Sequence, residues 1–332
     1  MENKTYLIEE QFLSPYAMKS KDTKGRKVFE ELCPTRTEFQ RDRDRIIHCK
    51  AFRRLKNKTQ VFIKPEGDHY MTRLTHTLDV AQIGRTIARI CNLNEDLTEA
   101  IALGHDLGHT PFGHAGERTL HDLTGGEFLH ERQSLRVVDI LEDNGKGLNL
   151  TFEVKDGIVN HNSAGHPKTL EGAVVHLADR IAYLNHDIED AVRAGIITQS
   201  DIPSSISAVF GQTFSKRINT MILSVQSASF NQPKVGYTEE VAKAADELRT
   251  FMFERVYFSE EKRKEEEKVD IMLRYLFDWY IKNPSDLPEF YQKLMESYRK
   301  ETVVADYIST MTDSFALDTF RSLFEPKMRG YY

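Results

Sequence analysis

Hydrophobic residues recur along this chain mainly with the three-to-four-residue spacing of α-helices. One such stripe begins at His76 and continues through Val80, Ile83 and Ile87 to Cys91. A face of this kind is buried in a helical protein. The pattern therefore predicts a long helix that carries His76 toward the interior.

A second predicted helix begins at Asn94, because an asparagine side chain is a preferred helix cap. We expect this helix to end at Gly108, a residue type that stops helices. Its buried stripe consists of Leu97, Ala100, Ile101, Gly104 and His105. The pattern thus directs a second histidine toward the interior.

Further helices are predicted over residues 171–194, with Gly195 as the stop, and over 238–257. The charged run 260–268 that follows fits either a solvated helix surface or a mobile loop. These segments predict a mainly α fold, a helical bundle with additional C-terminal helices.

Only two stretches, 60–63 and 150–160, have the character of strands. The organisation we expect is an N-terminal arm (1–34), a catalytic body (35–195), a connecting segment (196–237) and a C-terminal helical region (238–332). The C-terminal region is expected to complete the substrate pocket and to make oligomer contacts. Because residues 196–237 are rich in Gly, Ser, Pro and Gln, they are the best candidate for a long connection.

Composition narrows the class of protein without identifying it. The 332 residues are 40% hydrophobic and 29% charged, and the net charge is −6. These values are ordinary for a globular protein, and they argue against a whole-surface nucleic-acid binder. The three cysteines do not make a disulfide framework, and no run approaches the ~18 apolar residues of a membrane span. No signal peptide is visible either, so we expect a cytoplasmic protein.

Positive charge is concentrated in residues 36–58, which we call the basic segment. It contains nine Lys or Arg against three acidic residues, a net +6, so the rest of the chain carries −12. A focus of this kind suits a polyanion such as a phosphate chain. A helix face with internal ion pairs fits the composition equally well.

Candidate chemistry lies in His76, the pair His105-Asp106, and Asp179, which all belong to inward helix positions. Buried polar groups are costly unless they are paired or bind a metal. Two imidazoles and two carboxylates suit Mn²⁺, Fe²⁺, Mg²⁺, Co²⁺, Ni²⁺ or Zn²⁺.

Each of these residues has a simpler explanation when taken alone. A buried histidine is more commonly a hydrogen-bonded core residue, and a His-Asp pair at a helix end is commonly a cap. The density of histidines argues for a site, because five of the twelve fall between residues 105 and 130. A metal site with positioned acids and bases explains that density.

With these residues in place, the chain resembles the HD superfamily of metal-dependent phosphohydrolases. Within it, the chain looks like the bacterial dGTPase-like deoxynucleoside triphosphate triphosphohydrolases. The motifs that carry the resemblance are RDRDRIIHCKAFRRLKNKTQVF (41–62), TRLTHTLDVAQIGR (72–85), GHDLGHTPFGHAGE (104–117), HERQSLRVV (130–138) and HLADRIAYLNHDIEDAV (176–192). The sequence departs from the family pattern at Cys49, where serine is usual, and at ISTMTD (308–313).

The resemblance implies hydrolysis of a dNTP, dGTP or several dNTPs, to the deoxynucleoside and inorganic triphosphate. It implies one divalent metal ion, with Mg²⁺ also expected on the substrate triphosphate. The matched metal ligands are His76, His105, Asp106 and Asp179. The matched catalytic residues are His109, His130 and Glu117, of which Glu117 orients a histidine. The matched phosphate-contacting residues are Arg73, His114, Arg180 and Tyr183. The matched residues around the sugar are Gln60, Val61 and Asp187, of which Gln60 and Asp187 are expected to contact the 3′-hydroxyl. Tyr257 matches the tyrosine that packs against C2′ and leaves no room for a ribose 2′-hydroxyl.

Some questions stay open at the level of the sequence. Either His109 or His130 would protonate the leaving oxygen. The expected partners are the dNTP and an even-numbered homo-oligomer, without a membrane. Nucleic-acid or allosteric nucleotide binding stays open. The alternative functions are another HD phosphohydrolase, acting on a nucleoside monophosphate or cyclic dinucleotide, and a non-catalytic HD protein that binds nucleotides or nucleic acid.

Overall fold

The computed structural model describes residues 4–60, 70–258 and 260–326, and it confirms the mainly α fold. Within these ranges there is no β-strand, only two isolated bridges, Arg26 with Thr151 and Thr59 with Thr72. The helices are α1 (Lys4–Phe12), α2 (Glu38–His48), α3 (Lys50–Arg54), α4 (Arg73–Ile90), α5 (Glu95–Gly104), α6 (Gly113–Leu123), α7 (His130–Arg136), α8 (Phe152–Val159), α9 (Leu170–Arg193), α10 (Ser204–Phe210), α11 (Phe214–Ser229), α12 (Glu239–Met252), α13 (Glu260–Lys282), α14 (Glu289–Leu294), α15 (Lys300–Ser309) and α16 (Asp313–Phe324).

Helix α4 lies at the centre of the larger core, packed between α5 and α9, and α2 packs on α5. The predicted stripe from His76 to Cys91 is buried along its whole length. A smaller core joins α6 to the C-terminal helices α13, α15 and α16. The C-terminal helices therefore pack directly on the part of the chain that contains the histidine-rich motifs.

Several predicted helix boundaries are confirmed. The Asn94 side chain accepts a hydrogen bond from the Leu97 N–H, as expected of the cap of α5. Helix α9 covers the range predicted for it, and Gly195 follows it with φ +72°, a conformation that favours glycine. The run 260–268 is helical and forms the first turns of α13.

The predicted end of α5 at Gly108 is wrong, because the helix ends at Gly104. Residues 105–108 form a turn that helix α7 holds from outside. The Gly108 N–H donates to Ser134 Oγ at 2.9 Å, and Ser134 Oγ donates to the His105 carbonyl at 2.7 Å. Ser134, which is 26 residues from Gly108, thus determines where α5 ends, and the local sequence pattern does not show this contact.

The prediction of a strand within residues 150–160 is also wrong, because residues 152–159 form α8. Val154, Gly157 and Ile158 share a helical face against α5 and α9. A β-carbon on Gly157 would lie 2.4 Å from Ile101 Cδ1, so the two helix backbones approach closely. Close packing on neighbouring helices thus outweighs the local β propensity.

Residues 196–237 are not an open connection. Two helices, α10 and α11, form there, and Phe210, Met221 and Val225 are buried in the larger core. In the described residues, no helix is both long enough and apolar enough to cross a membrane.

Candidate active site

A cavity of about 910 Å³ opens between α4, α6, α7 and α9 on one side and the chain from α12 to α13 on the other. It contains most of the residues that the sequence singled out. Those of them that line it are Gln60, Arg73, His76, Asp106, His109, His114, Glu117, His130, Asp179, Arg180, Tyr183, Asp187 and Tyr257.

The four predicted metal-binding side chains meet at one point. His76 Nε2 lies 3.0 Å from Asp179 Oδ1 and 3.9 Å from Asp106 Oδ2. His105 Nε2 lies 3.5 Å from Asp106 Oδ1 and 3.9 Å from Asp179 Oδ1. Three separate parts of the chain, α4, the turn after α5, and α9, deliver these atoms.

The chemistry of this cluster fits a divalent cation. His105 Nδ1 lies 2.6 Å from the Ala102 carbonyl and donates to it, so His105 Nε2 presents a lone pair. That buried Nε2 has no hydrogen-bond partner among the described residues, although two carboxylates lie within 4 Å. Burial alone would raise the pKa of Asp106, but nearby positive charge, including the Arg73 guanidinium, holds it well below its ordinary value. A lone pair and two anions facing one point require a positive charge between them.

Next to this cluster, a hydrogen-bonded chain holds His130. Its Nδ1 lies 2.8 Å from Glu117 Oε1, and its Nε2 lies 3.1 Å from His161 Nε2. His161 Nδ1 donates to the Ile158 carbonyl at 2.7 Å, so His161 Nε2 is an acceptor. Both ring nitrogens of His130 therefore donate, which makes it an imidazolium.

His109 is held in the opposite protonation state. Its ring stacks on that of His130 with the centroids 4.5 Å apart. Burial and the Arg73 guanidinium hold the pKa of His109 well below its ordinary value. For His130, burial alone would lower the pKa, but the Glu117 carboxylate raises it to about 9. The site thus contains a neutral and a charged histidine side by side, as acid–base chemistry requires.

The predicted phosphate-contacting residues lie at different depths. Arg73 is buried and donates to Asp106 Oδ2 at 2.8 Å, so it is already engaged with the metal cluster. Arg180 lines the cavity and pairs with Asp246. The His114 side chain is 58% exposed, and its Nδ1 lies 3.2 Å from Glu117 Oε2. Tyr183, one turn beyond Asp179 on α9, also lines the cavity.

Of the residues predicted to contact the sugar, Gln60, Asp187 and Tyr257 line the cavity. The Tyr257 hydroxyl donates to Asp187 Oδ2, which fixes the ring. Gln60 is buried, and its Oε1 lacks a hydrogen-bond partner within the described ranges. Val61 lies outside the described residues. The structure thus joins Gln60, Asp187 and Tyr257 in the wall of one cavity.

The basic segment does not line the cavity in the part of the chain that the structure describes. Arg41 and Arg45 both pair with Glu30, and Arg36 pairs with Asp44 at 2.7 Å. The structure therefore gives no support for this segment as a source of cations for the triphosphate. Its charge is offset by nearby acids, as the ion-pair alternative predicted.

Several lining residues were not predicted from the sequence, among them Arg118, His161, Arg249, Lys262 and Arg263. A continued count of histidines past residue 130 would have pointed to His161. The four cations carry no local signal, because lysines and arginines on helices are common.

The fold and the site identify the class of protein to which this chain belongs. Residues 73–184, which contain all four residues of the metal cluster, match the model of the HD domain. Residues 235–322, which include Tyr257 and α13, match the model of the phosphohydrolase-associated domain. The protein is an HD-domain phosphohydrolase.

Similarity to curated proteins extends over nearly the whole chain. A deoxyguanosinetriphosphate triphosphohydrolase-like protein of Caldanaerobacter subterraneus subsp. tengcongensis is 54% identical over 96% of this chain and 94% of its own length. Proteins of the same name are 47% identical in Clostridium tetani, over 98% of this chain and 96% of theirs, and 48% identical in Desulfatibacillum aliphaticivorans, over 95% of both. The chain belongs to the deoxyguanosinetriphosphate triphosphohydrolase-like family.

Proposed function

We propose that this protein hydrolyses deoxynucleoside triphosphates to the deoxynucleoside and inorganic triphosphate. The observation that carries the proposal is the single cavity that joins the His/Asp cluster to the His109–His130 pair and to the Tyr257–Asp187 pair. Hydrolysis of a deoxynucleoside triphosphate requires all three features. It requires positive charge at the phosphates, proton transfer at the bond that breaks, and a pocket that fits the deoxyribose.

His76, His105, Asp106 and Asp179 would hold one divalent metal ion. When bound, such an ion supplies positive charge that screens the phosphates and acidifies a water molecule. Mn²⁺, Fe²⁺, Mg²⁺, Co²⁺, Ni²⁺ and Zn²⁺ are all compatible with this set of ligands.

Proton transfer is assigned to the two stacked histidines. A water oxygen forms a bond to the α-phosphorus while the bond from that phosphorus to the 5′ oxygen breaks. His130, as the imidazolium between Glu117 and His161, donates a proton to the departing 5′ oxygen. His109, which is neutral, accepts a proton from the attacking water. Among the two histidines that the sequence left open, this assigns the acid to His130.

The triphosphate carries roughly four negative charges, and charge-assisted hydrogen bonds suit it best. The cationic side chains that line the cavity would donate these hydrogen bonds. These side chains are Arg73, Arg118, Arg180, Arg249, Lys262 and Arg263.

The test is to incubate the protein with each dNTP and each candidate metal, and to identify the products by ion chromatography. We expect deoxynucleoside and triphosphate in equal amounts, with no turnover after chelation. Release of phosphate or pyrophosphate, or a linear product from a cyclic dinucleotide in place of dNTP turnover, would contradict the proposal. A His166→Ala variant is the matched control, since His166 is exposed and does not line the cavity.

We further propose an even-numbered homo-oligomer. Val28, Phe29 and Leu32 in the N-terminal arm are 62%, 87% and 70% exposed, and apolar side chains at this exposure favour a subunit contact. Light scattering should give a multiple of 38.3 kDa. A double substitution, Phe29→Ser with Leu32→Ser, should reduce the mass. A fully active wild-type monomer at micromolar concentration would contradict this.

A further inference from the structure

Two loops that carry predicted site residues are joined by groups outside the cavity. The first loop includes residues 58–60 and carries Gln60. The second is residues 109–112, which begins at His109. A β-carbon on the next residue, Gly113, would lie only 2.9 Å from the Gln60 carbonyl, so the two loops are in close contact.

One carboxylate bridges both loops. Asp313, the first residue of α16, accepts hydrogen bonds from the Thr59 N–H at 3.0 Å and from the Thr59 hydroxyl. Its other oxygen accepts from the Phe112 N–H at 2.9 Å. Phe112 has φ +62°, a conformation that a non-glycine residue adopts only when its surroundings hold it. The C-terminal region thus fixes the backbone of both loops at once.

A buried lysine adds a second link between the same parts of the chain. Lys58 is 2% exposed, and its Nζ donates to the His109 carbonyl and, at 2.7 Å, to the Ser309 carbonyl at the end of α15. On the opposite side of the first loop, Arg73 donates to the carbonyls of Thr59 and Gln60 at 3.2 and 3.3 Å. Gln60 is therefore held through its backbone, while its side-chain oxygen stays without a partner among the described residues.

Attachment of the C-terminal helices does not require Asp313. Asp306 on α15 accepts hydrogen bonds from Arg136 at 2.7 Å and from Gln133 at 2.9 Å, and the smaller core adds apolar contact. A buried carboxylate is costly, and apolar contacts would hold the region as firmly. Asp313 instead fixes how the two loops lie relative to each other, because three donors from the two loops converge on its two oxygens.

We propose that Asp313 is a positioning residue for sugar recognition, which acts by fixing the loop that carries Gln60 against the loop that carries His109. This inference rests on the proposed function and on the family resemblance, which implies that Gln60 and Asp187 contact the 3′-hydroxyl of the deoxyribose. A buried polar contact to a hydroxyl discriminates strongly against an analogue that lacks it. A displaced Gln60 loses that discrimination, whereas the metal cluster stays intact.

The experiment compares kcat/KM for dGTP and for 2′,3′-dideoxy-GTP in wild type, Asp313→Asn and Thr59→Val. For Asp313→Asn we expect the dGTP-to-dideoxy-GTP ratio to fall at least fivefold, mainly through a higher KM for dGTP, with unchanged metal content. Thr59→Val, which removes only the hydroxyl donor, should lower the ratio by less. It also keeps the test valid if Asp313→Asn does not fold.

Asp306→Asn is the matched control, because it weakens the attachment of the same region without touching either loop. It should lower the melting temperature and leave the ratio unchanged. A ratio within twofold of wild type in both Asp313→Asn and Thr59→Val would overturn the inference. So would a wild-type enzyme that does not distinguish the two substrates, since Gln60 would then not contact the 3′-hydroxyl. Absence of triphosphate from every dNTP would instead refute the proposed function itself.

Discussion

Neighbouring groups give identical side chains opposite protonation states in this site. His109 and His130 stack on each other, yet the pKa of one is lowered and that of the other is raised to about 9. The difference comes from Glu117, which accepts both the ring and the backbone N–H of His130. The neighbours of each ring, rather than the residue type, therefore set its protonation state.

Substitution of a histidine in each group should separate the two roles. His76→Ala should lose the metal and all turnover, because His76 Nε2 belongs to the His/Asp cluster. His130→Ala should keep the metal and slow hydrolysis by roughly 10²–10⁴, the usual contribution of a general acid. Elemental analysis with single-turnover kinetics measures both. Metal loss in His130→Ala with retention in His76→Ala would reverse the assignment.

Tyr257 should decide between deoxyribose and ribose. Its ring lines the cavity and is fixed by the hydrogen bond to Asp187, so it leaves little freedom beside the sugar. Tyr257→Ala should therefore lower the ratio of kcat/KM for dGTP over GTP by about tenfold or more, the range of a steric contact in a pocket. Tyr275→Ala, at an exposed side chain that does not line the cavity, is the control. An unchanged ratio in Tyr257→Ala would show that the exclusion of the 2′-hydroxyl lies elsewhere.

At the scale of elements, the site depends on how closely helices and turns approach each other. Helix α9 presents Asp179, Tyr183 and Asp187 at intervals of four residues, so one helix face extends from the His/Asp cluster to the part of the cavity wall that contains Tyr257. The turn that carries His105 packs against α7, which carries His130. The contact between this turn and α7 therefore sets the distance between the His/Asp cluster and His130.

Gly108 is the point of that contact. A β-carbon there would lie 2.1 Å from the Ser134 backbone nitrogen, which cannot move without α7. Gly108→Ala should destabilise the fold by about 1–3 kcal/mol, as overpacking usually does, and should reduce turnover in the folded fraction. Denaturant unfolding and kcat measure the two effects. Gly236→Ala, where an added β-carbon has open space, should change neither. A fully active, equally stable Gly108→Ala would contradict this packing.

At the scale of the whole molecule, buried carboxylates connect the N-terminal arm to the body. Glu171 on α9 accepts hydrogen bonds from the N–H groups of Met18 and Asn94. Glu9 on α1 accepts from Ser20 and from the Asn94 side chain. Asn94, the cap of α5, thus joins α1 and α9 as well as starting its own helix.

Glu171 should make stability depend on pH. Burial raises its pKa to about 7, whereas the unfolded chain ionises near 4.5. Its stabilising contribution is therefore complete below pH 4.5, falls as the pH rises through 7, and stays lost above that. A pKa that differs this much between the folded and unfolded states changes the free energy of unfolding by roughly 3 kcal/mol.

In Glu171→Gln this part of the pH dependence should disappear. The expected result is a smaller fall in unfolding free energy between pH 4.5 and 7.5, measured by urea denaturation. Glu289→Gln, at a side chain that is 79% exposed, should follow wild type. Parallel curves for wild type and Glu171→Gln would show that Glu171 is ionised in the folded protein throughout this range.

The sequence alone determined the features that local chemistry controls. The buried stripe of α4, the Asn94 cap, the extent of α9 and the mainly α fold all follow from helical periodicity and capping, which act within a few residues. The HD and dGTPase-like resemblance was likewise carried by the motifs themselves, and the comparisons confirm it.

Only the tertiary structure decided features that depend on residues far apart in the chain. Helix α5 ends at Gly104 because Ser134 holds the following turn, and residues 152–159 are helical because α5 and α9 pack on them. The arginines of the basic segment pair with acids such as Glu30, and His161 reaches His130 from a different loop. Asp313 touches loops about 200 and 254 residues away. Such contacts form only when distant segments pack together, so they leave no periodic or local signal in the sequence.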